Sequence, residues 1–439
     1  METTPTQAVE AALAAITAQE TEIGAFATVL PAHAREQARH LEAMLALGMP
    51  RGPLTGMVVG VKDIIDVAGL PTGGGSRTRE GVAPAARDAA VVQRLCAAGA
   101  VMIGKTKTVE YAFGGWGTNV SMGTPRNPRD RQAARAPGGS SSGSGAAVAA
   151  GMVAAALGTD TGGSVRLPAS FCGVVGLKTT AGLLPNRGVL PLSPRLDTVG
   201  PLAATVLDAA RVFAALLAED APRVAGGPAL VEDPALVTQR GVGGMRIGVP
   251  ELPAESLHAD TARVFAATRD MLAALGAAVR PAALPQSLAE YATRLGDIMA
   301  SDAYRAYGAL AEAEPNRLGA PVRERIRQGH AISAPRLLAA LEAQAEGMQA
   351  AAALFEEVDA LLLPTTPYPA PKLDACDEAV SPGGLTRFVN FLGLAAVSLP
   401  MGRAAEGMPV AMQIVVPPWH EVRALVIAGA LERAAAAQA

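Results

Sequence analysis

Between Gly138 and Ser170 the chain reads GGSSSGSGAAVAAGMVAAALGTDTGGSVRLPAS, with no charged residue before Asp160, serines at both ends, and alanine, glycine and valine between. The apolar stretch from Gly145 to Gly158 is shorter than the roughly 20 residues a bilayer-spanning helix needs, so it is expected to be a buried core helix. Its small side chains permit close packing. A flexible linker shares the glycine-serine composition of the first end, but a linker is not followed at once by a buried apolar helix.

The flanking sequence sets the fold class. Residues 1–50 read as two amphipathic, alanine-rich helices, and METTPTQAVEAALAAITAQE lacks the basic start and apolar stretch of a signal peptide, so a capped surface helix is expected. GPLTGMVVGVKDIIDVAGLPTGGGS then switches to short β-branched runs punctuated by glycine and proline. DAAVVQRLCAAGAVMIGKT reads as a helix, a glycine stop and a buried strand, and the alternation recurs at GGMRIGVPE, VDALLLPTTP and AAVSLPMG. Residues 51–439 are therefore expected to form an α/β domain with a large, parallel or mixed β-sheet covered by helices on both faces. The more charged helical stretch at about 280–350 is expected to be a subdomain or lid.

Composition narrows the partners. A net charge of -3 over 439 residues gives no basic footprint for nucleic acid and no polybasic segment for anionic lipid, so a small neutral or weakly charged ligand is expected. Cys96, Cys172 and Cys376 are widely spaced and odd in number, which supports neither a disulfide framework nor a zinc site and fits a reducing cytoplasm. No His/Asp/Glu cluster has ligand spacing, so neither metal nor cofactor is expected.

Two motif matches are judged misleading. GAVMIGKT, Gly99 to Thr106, fits the P-loop pattern, but a helical pattern precedes Gly99 and AVMI is itself the strand, so the glycines do not bound a phosphate-wrapping turn; Lys105 is expected to cap the strand. Gly139 to Gly143 fits the G-x-S-x-G elbow, with Asp359 or Asp374 and then His420 following in hydrolase order. The elbow needs a strand running into its serine, whereas DRQAARAPGG is polar and broken by proline, and His420 in PPWHE reads as surface loop.

Lys62 in VGVKDIID, Ser140 in PGGSSSGS and Ser164 in GTDTGGSVRLPA form a more specific constellation. Together with CGVVGLKTT, DTVGPLA, LLLPTTP and MPVAMQIV, they resemble the amidase signature family. That resemblance implies the amidase-signature fold and a Ser-cisSer-Lys triad, with Ser164 as nucleophile, Ser140 as bridging serine in a cis peptide and Lys62 as base. It implies an oxyanion hole at Thr161, Gly162 and Gly163, and a substrate loop at GGWGTN that includes Gly114 and Gly115. Ser141, Asp160 and Arg166 match supporting positions, and Cys172 matches a position read here as packing.

The chemistry agrees with those residue types. A serine hydroxyl is a poor nucleophile near neutrality, and a lysine with an ordinary pKa of about 10.4 is almost entirely protonated at pH 7, so the base must be buried and depressed. The expected reaction is hydrolysis of a small-molecule carboxamide to a carboxylate and ammonia or an amine, through an acyl-enzyme on Ser164. One alternative is the glutaminase component of a tRNA-dependent amidotransferase; a weaker one is an α/β-hydrolase-type esterase. The stand-alone enzyme is preferred because the helical region lacks the serine-asparagine and arginine-tyrosine-aspartate-glycine stretches of that glutaminase component, and because the tail is expected to end without a docking extension. A symmetric homodimer stays open. Trp116 is read as either a substrate platform or a packed aromatic, and Arg195 as either a carboxylate ligand or a surface residue.

Overall fold

A computed structural model of the chain describes residues 3–217, 233–252, 256–313 and 316–438. Their strands are β1 (Phe26–Val29), β2 (Val58–Lys62), β3 (Val101–Thr106), β4 (Ala155–Asp160), β5 (Val175–Lys178), β6 (Thr198–Ala203), β7 (Arg246–Pro250), β8 (Ala278–Ala282), β9 (Ala360–Pro364), β10 (Ala395–Arg403) and β11 (Pro409–Val416). They form one sheet in the order β1-β3-β2-β4-β6-β5-β10-β11-β9-β7-β8. The sheet is mixed: β2 runs parallel to β3 and β4, and β7 parallel to β8 and β9, while β4 to β6 and β10 to β11 are antiparallel.

Period-two burial sets the layers. Val59 and Val61 of β2, Leu157 of β4 and Ile414 of β11 join one core with the helices Ala90–Ala97, Val206–Leu216 and Glu421–Ala436. The intervening residues turn the other way. Val58, Ala156 and Leu202 pack under the N-terminal helices Pro5–Ile23 and Pro31–Ala46. Leu361, Leu363 and Val415 pack under the helices Leu288–Ala313 and Ala334–Glu357. Helices therefore cover both faces, and the charged helical stretch lies directly on the sheet.

Two local expectations are corrected. The segment 1–50 is not helical throughout: Gly24 turns left-handed at φ +61, and the four residues of β1 then pair antiparallel with β3 at the sheet edge. A strand that short leaves no readable period. The apolar run Gly145–Gly158 is not one helix either. The helix spans Ser142–Ala149, Gly151 adopts φ +68, and Ala155–Asp160 becomes β4. With alanine and glycine throughout, neither period is visible in the sequence.

The small residues of the helix Ser142–Ala149 answer a packing constraint. A Cβ on Gly143 would lie 2.2 Å from the Ala25 carbonyl oxygen and 2.4 Å from the Lys107 nitrogen. That helix carries the serine segment, so its close seating fixes where the serines sit. Gly143→Ala is expected to destabilise the fold by about 1–3 kcal/mol through overpacking. The check is the urea unfolding midpoint against Gly241→Ala, whose added Cβ meets no atom within 4 Å; equal midpoints would contradict the constraint.

Candidate active site

Because β2 and β4 are parallel neighbours, with Val61 level with Leu157, their carboxyl ends lie side by side. Lys62 ends β2 and Asp160 ends β4. Ligand sites of α/β sheets form beyond such ends.

Lys62 is fully buried, and its Nζ donates to Ser140 Oγ at 2.7 Å and Thr159 Oγ1 at 2.8 Å. Burial disfavours the ammonium and pushes its pKa down to about 7, against the opposing charges of Asp197 and Asp160. Asp197 is a carboxylate that sequence reading passed over, although DTVGPLA contains it. It accepts hydrogen bonds from Thr161 Oγ1 (2.5 Å), the Leu192 N–H (2.9 Å) and the Ser193 N–H (3.0 Å). Burial lifts its pKa to about 6, against these hydrogen bonds and the Lys62 charge. It stands one residue before β6, whose Thr198 pairs with Asp160.

The two serine segments are tied to each other and to the sheet. The Ser140 carbonyl accepts from the Val109 N–H (3.0 Å) and Thr108 Oγ1 (3.1 Å), and the Gly139–Ser140 peptide is cis. Ser141 is buried; its Oγ donates to the Thr159 carbonyl (3.3 Å) and accepts from the Thr159 N–H (3.2 Å), while its own N–H donates to the Ser164 carbonyl (3.3 Å). Thr159 thus touches Lys62 and Ser141 together.

Asp160 and Arg166 form a fully buried pair, with Nε–Oδ2 at 3.0 Å. Burial would raise the Asp160 pKa, but the charge and hydrogen bonds of Arg166, the Lys178 charge and the Asn390 hydrogen bond together outweigh it and hold the carboxyl well below its usual range. Arg166 also donates to the Thr386 carbonyl, Gln413 Oε1 and Asn390 Oδ1. Asp160 in turn receives the Gly163 N–H at 2.7 Å and the Val165 N–H at 3.2 Å. This corrects the expected oxyanion hole: at φ +130 the Gly163 donor points to Asp160. Among the described residues the N–H groups of Gly162 and Ser164 take no acceptor.

A cavity of about 680 Å³ opens over this turn, lined by Gly114, Gly115, Thr161, Gly162 and Ser164. Gly163 is not in its wall. The opposite wall comes from Leu288–Ala313, Ala320–Gln328 and the segment 378–381. Trp116 does not line the cavity. It stacks between Phe171 and Tyr368, with ring centroids 6.3 and 6.2 Å away, and its Nε1 donates to the Asp377 and Val380 carbonyls, holding the 378–381 wall. Arg195 also lies outside, paired with Asp302 at 3.2 Å.

The rejected motifs fall elsewhere. Lys105 lies within β3 rather than capping it, buried, with Nζ 3.0 Å from Asp63 Oδ1. Asp359 pairs with Arg246, and both line a separate cavity with His420, whose Nδ1 meets the Pro418 carbonyl. Cys172 is buried, its thiol pushed up to about 12 by burial and bonded to the Pro137 carbonyl, as packing requires. No described helix is long and apolar enough to cross a membrane.

Comparison with known proteins agrees with this geometry. The chain is 36% identical to the A component of the glutamyl-tRNA(Gln) amidotransferase of Acidobacterium capsulatum, over 97% of this chain and 94% of that one. It is 38% identical to a 2-amino-5-chloromuconic acid deaminase of Comamonas testosteroni, over 94% and 89%. An inhibitor-bound structure from a vestigial protein complex, linked to the origins of an s-triazine catabolic enzyme, superposes with a TM-score of 0.91 at 31% identity, covering 98% of this chain and 95% of that one. The sequence profile of the Amidase family matches residues 7–425. With the amidase-signature fold built around a buried lysine and two serine segments, the chain belongs to the Amidase family, whose members hydrolyse amides.

Proposed function

We propose that this chain is a stand-alone amidase that cleaves a small-molecule carboxamide through an acyl-enzyme on Ser164. The observation that carries this reading is Lys62: fully buried, its pKa pushed down to about 7 by burial, and 2.7 Å from Ser140, whose neighbour Ser141 donates its N–H to the carbonyl of the cavity-lining Ser164.

In the proposed first step, Ser164 Oγ attacks the amide carbon. Its proton passes to Ser140 Oγ while the Ser140 proton passes to neutral Lys62 Nζ. The developing oxyanion lies against the free N–H groups of Gly162 and Ser164, each donor worth about 3 kcal/mol of transition-state stabilisation. Collapse breaks the C–N bond, and the lysinium proton returns through Ser140 to the leaving nitrogen. Water then attacks the ester, and the same relay restores Ser164. Ser141, Thr159, Asp160 and Arg166 hold the two serine segments in register, and Asp197 acts through its charge on Lys62.

The likeness to the glutaminase components of amidotransferases supports a second reading, in which the same chemistry takes glutamine and serves a partner. Turnover by the purified chain separates the two: efficient hydrolysis of simple amides with poor glutaminase activity is expected. Glutaminase activity appearing only with a co-purifying partner would favour the second.

Four further outcomes are expected. An organophosphonate adduct should map by mass spectrometry to the peptide containing Ser164, and an adduct on Ser141 would instead favour an esterase elbow. For wild type, kcat/KM should rise with pH and level off above about 7, because Lys62 acts only after losing its proton. Lys62→Ala should lose more than about a hundredfold in rate. Asp197→Asn removes a negative charge that holds the Lys62 pKa up, so the acid limb should move to lower pH; a shift to higher pH would contradict the coupling.

A further inference from the structure

Three arginines line the cavity above Ser164, and two of them are neutralised by acids of the same wall. Arg336 makes a two-pronged pair with Asp297, at 2.7 and 2.8 Å. Arg325 pairs with Glu378 at 2.5 Å and donates to the Phe113 carbonyl at 2.8 Å. Arg387 differs. It is partly buried, and no carboxylate of the described residues lies within 4.0 Å of it. Among the described residues its one side-chain hydrogen bond is a long one, from Nη1 to the Ala292 carbonyl at 3.4 Å. The remaining acid of the wall, Glu324, is exposed.

A guanidinium carries five N–H donors in a planar fork that matches a carboxylate, and burying one without an acid is costly. The position of Arg387 is specific. Its Cγ lies 3.8 Å from where a Cβ on Gly162 would stand, so its stem runs beside the turn that ends at Ser164. The cavity wall also carries the apolar side chains Leu167, Leu192, Ala292 and Met299. A ligand whose scissile carbonyl sits at Ser164 therefore places the rest of its chain between apolar side chains and an unneutralised cation.

From this geometry, and resting on the amidase reading above, we propose that Arg387 binds a carboxylate on the substrate. The substrate class is then the monoamide of a short dicarboxylic acid or a close acidic analogue. Arg387 acts as a specificity-determining residue, in the part that sequence reading offered to Arg195, which the structure gives to Asp302 instead.

The test compares kcat/KM for succinamate and glutaramate with butyramide and valeramide, in wild type, Arg387→Met, Arg387→Lys and the surface control Arg195→Ala. Wild type should prefer an acid over its neutral partner by at least about thirtyfold, as expected for a charged hydrogen-bonded pair. Arg387→Met should bring that ratio towards unity, chiefly through KM, Arg387→Lys should retain part of it, and Arg195→Ala should keep it. Calorimetric titration with succinate and glutarate gives a second readout: binding by wild type that weakens at least about tenfold in Arg387→Met. Hydrolysis without acid preference, or a preference that survives Arg387→Met, overturns the carboxylate site and leaves the amidase reading standing. Arg387-dependent dicarboxylate binding without turnover of any amide sinks the amidase reading and keeps the site. Neither turnover nor Arg387-dependent binding overturns the site as well.

Discussion

A lysine ammonium taken out of water costs several kcal/mol unless it is paired or gives up its proton, and Lys62 is placed at the carboxyl end of β2 with no solvent exposure. The surroundings settle that cost between the two routes. Its Nζ meets two neutral hydroxyls at hydrogen-bond distance, those of Ser140 and Thr159. The carboxylates of Asp197 and Asp160 oppose the desolvation as charges without meeting it as salt-bridge partners. An amine paired directly with a carboxylate would stay protonated and be useless as a base. One held by hydroxyls, with acids nearby, titrates near neutrality.

That arrangement explains why so much buried polarity is gathered in one place. Asp160 has its own cation in Arg166, and the pair is fixed by Asn390, Gln413 and the Thr386 carbonyl. The carboxylate also collects the Gly163 and Val165 N–H groups, which shapes the turn before and after Ser164. Nearby, Lys178 is buried, its pKa pushed down to about 8 by burial against the Asp160 charge, and it donates to the Thr179 and Leu394 carbonyls. Losing either Asp160 or Arg166 would strand the other charge in the interior, which is costlier than the missing bond itself.

The cavity is assembled from segments far apart in the chain, and its walls have different origins. The floor follows from strand ends and glycine turns of the sheet. The far wall belongs to the helices over β9 and β11 and to the segment 378–381, which Trp116 anchors from behind. The far wall therefore rests largely on elements whose sequences only had to be helical and amphipathic. This is why Lys62, Ser140 and Ser164 lie in motifs shared with the family while Arg325, Arg336 and Arg387 carry no motif of their own.

Strong local signals made part of this protein legible without coordinates. The alternation of helices with short apolar strands at AVMIG, MRIGVP, ALLLP and AAVSLP determined an α/β sheet covered on both faces, because period and punctuation are properties of neighbouring residues. The glycine-serine segments with Lys62 pointed to the chemistry, because a motif is a local record of a tight turn and a reactive group. Other features were decided only by the fold. β1 was too short to show a period, and the split of Gly145–Gly158 into helix and strand ran against alanine's helix preference, so both depended on what the backbone packs against. Gly163 lost its expected role because Asp160 captures its N–H. Asp197 gained one because β4 and β6 pair, and Arg387 rather than Arg195 faces the cavity because Asp302 stands beside Arg195. Charge partners distant in sequence are chosen by tertiary packing, and no spacing along the chain records them.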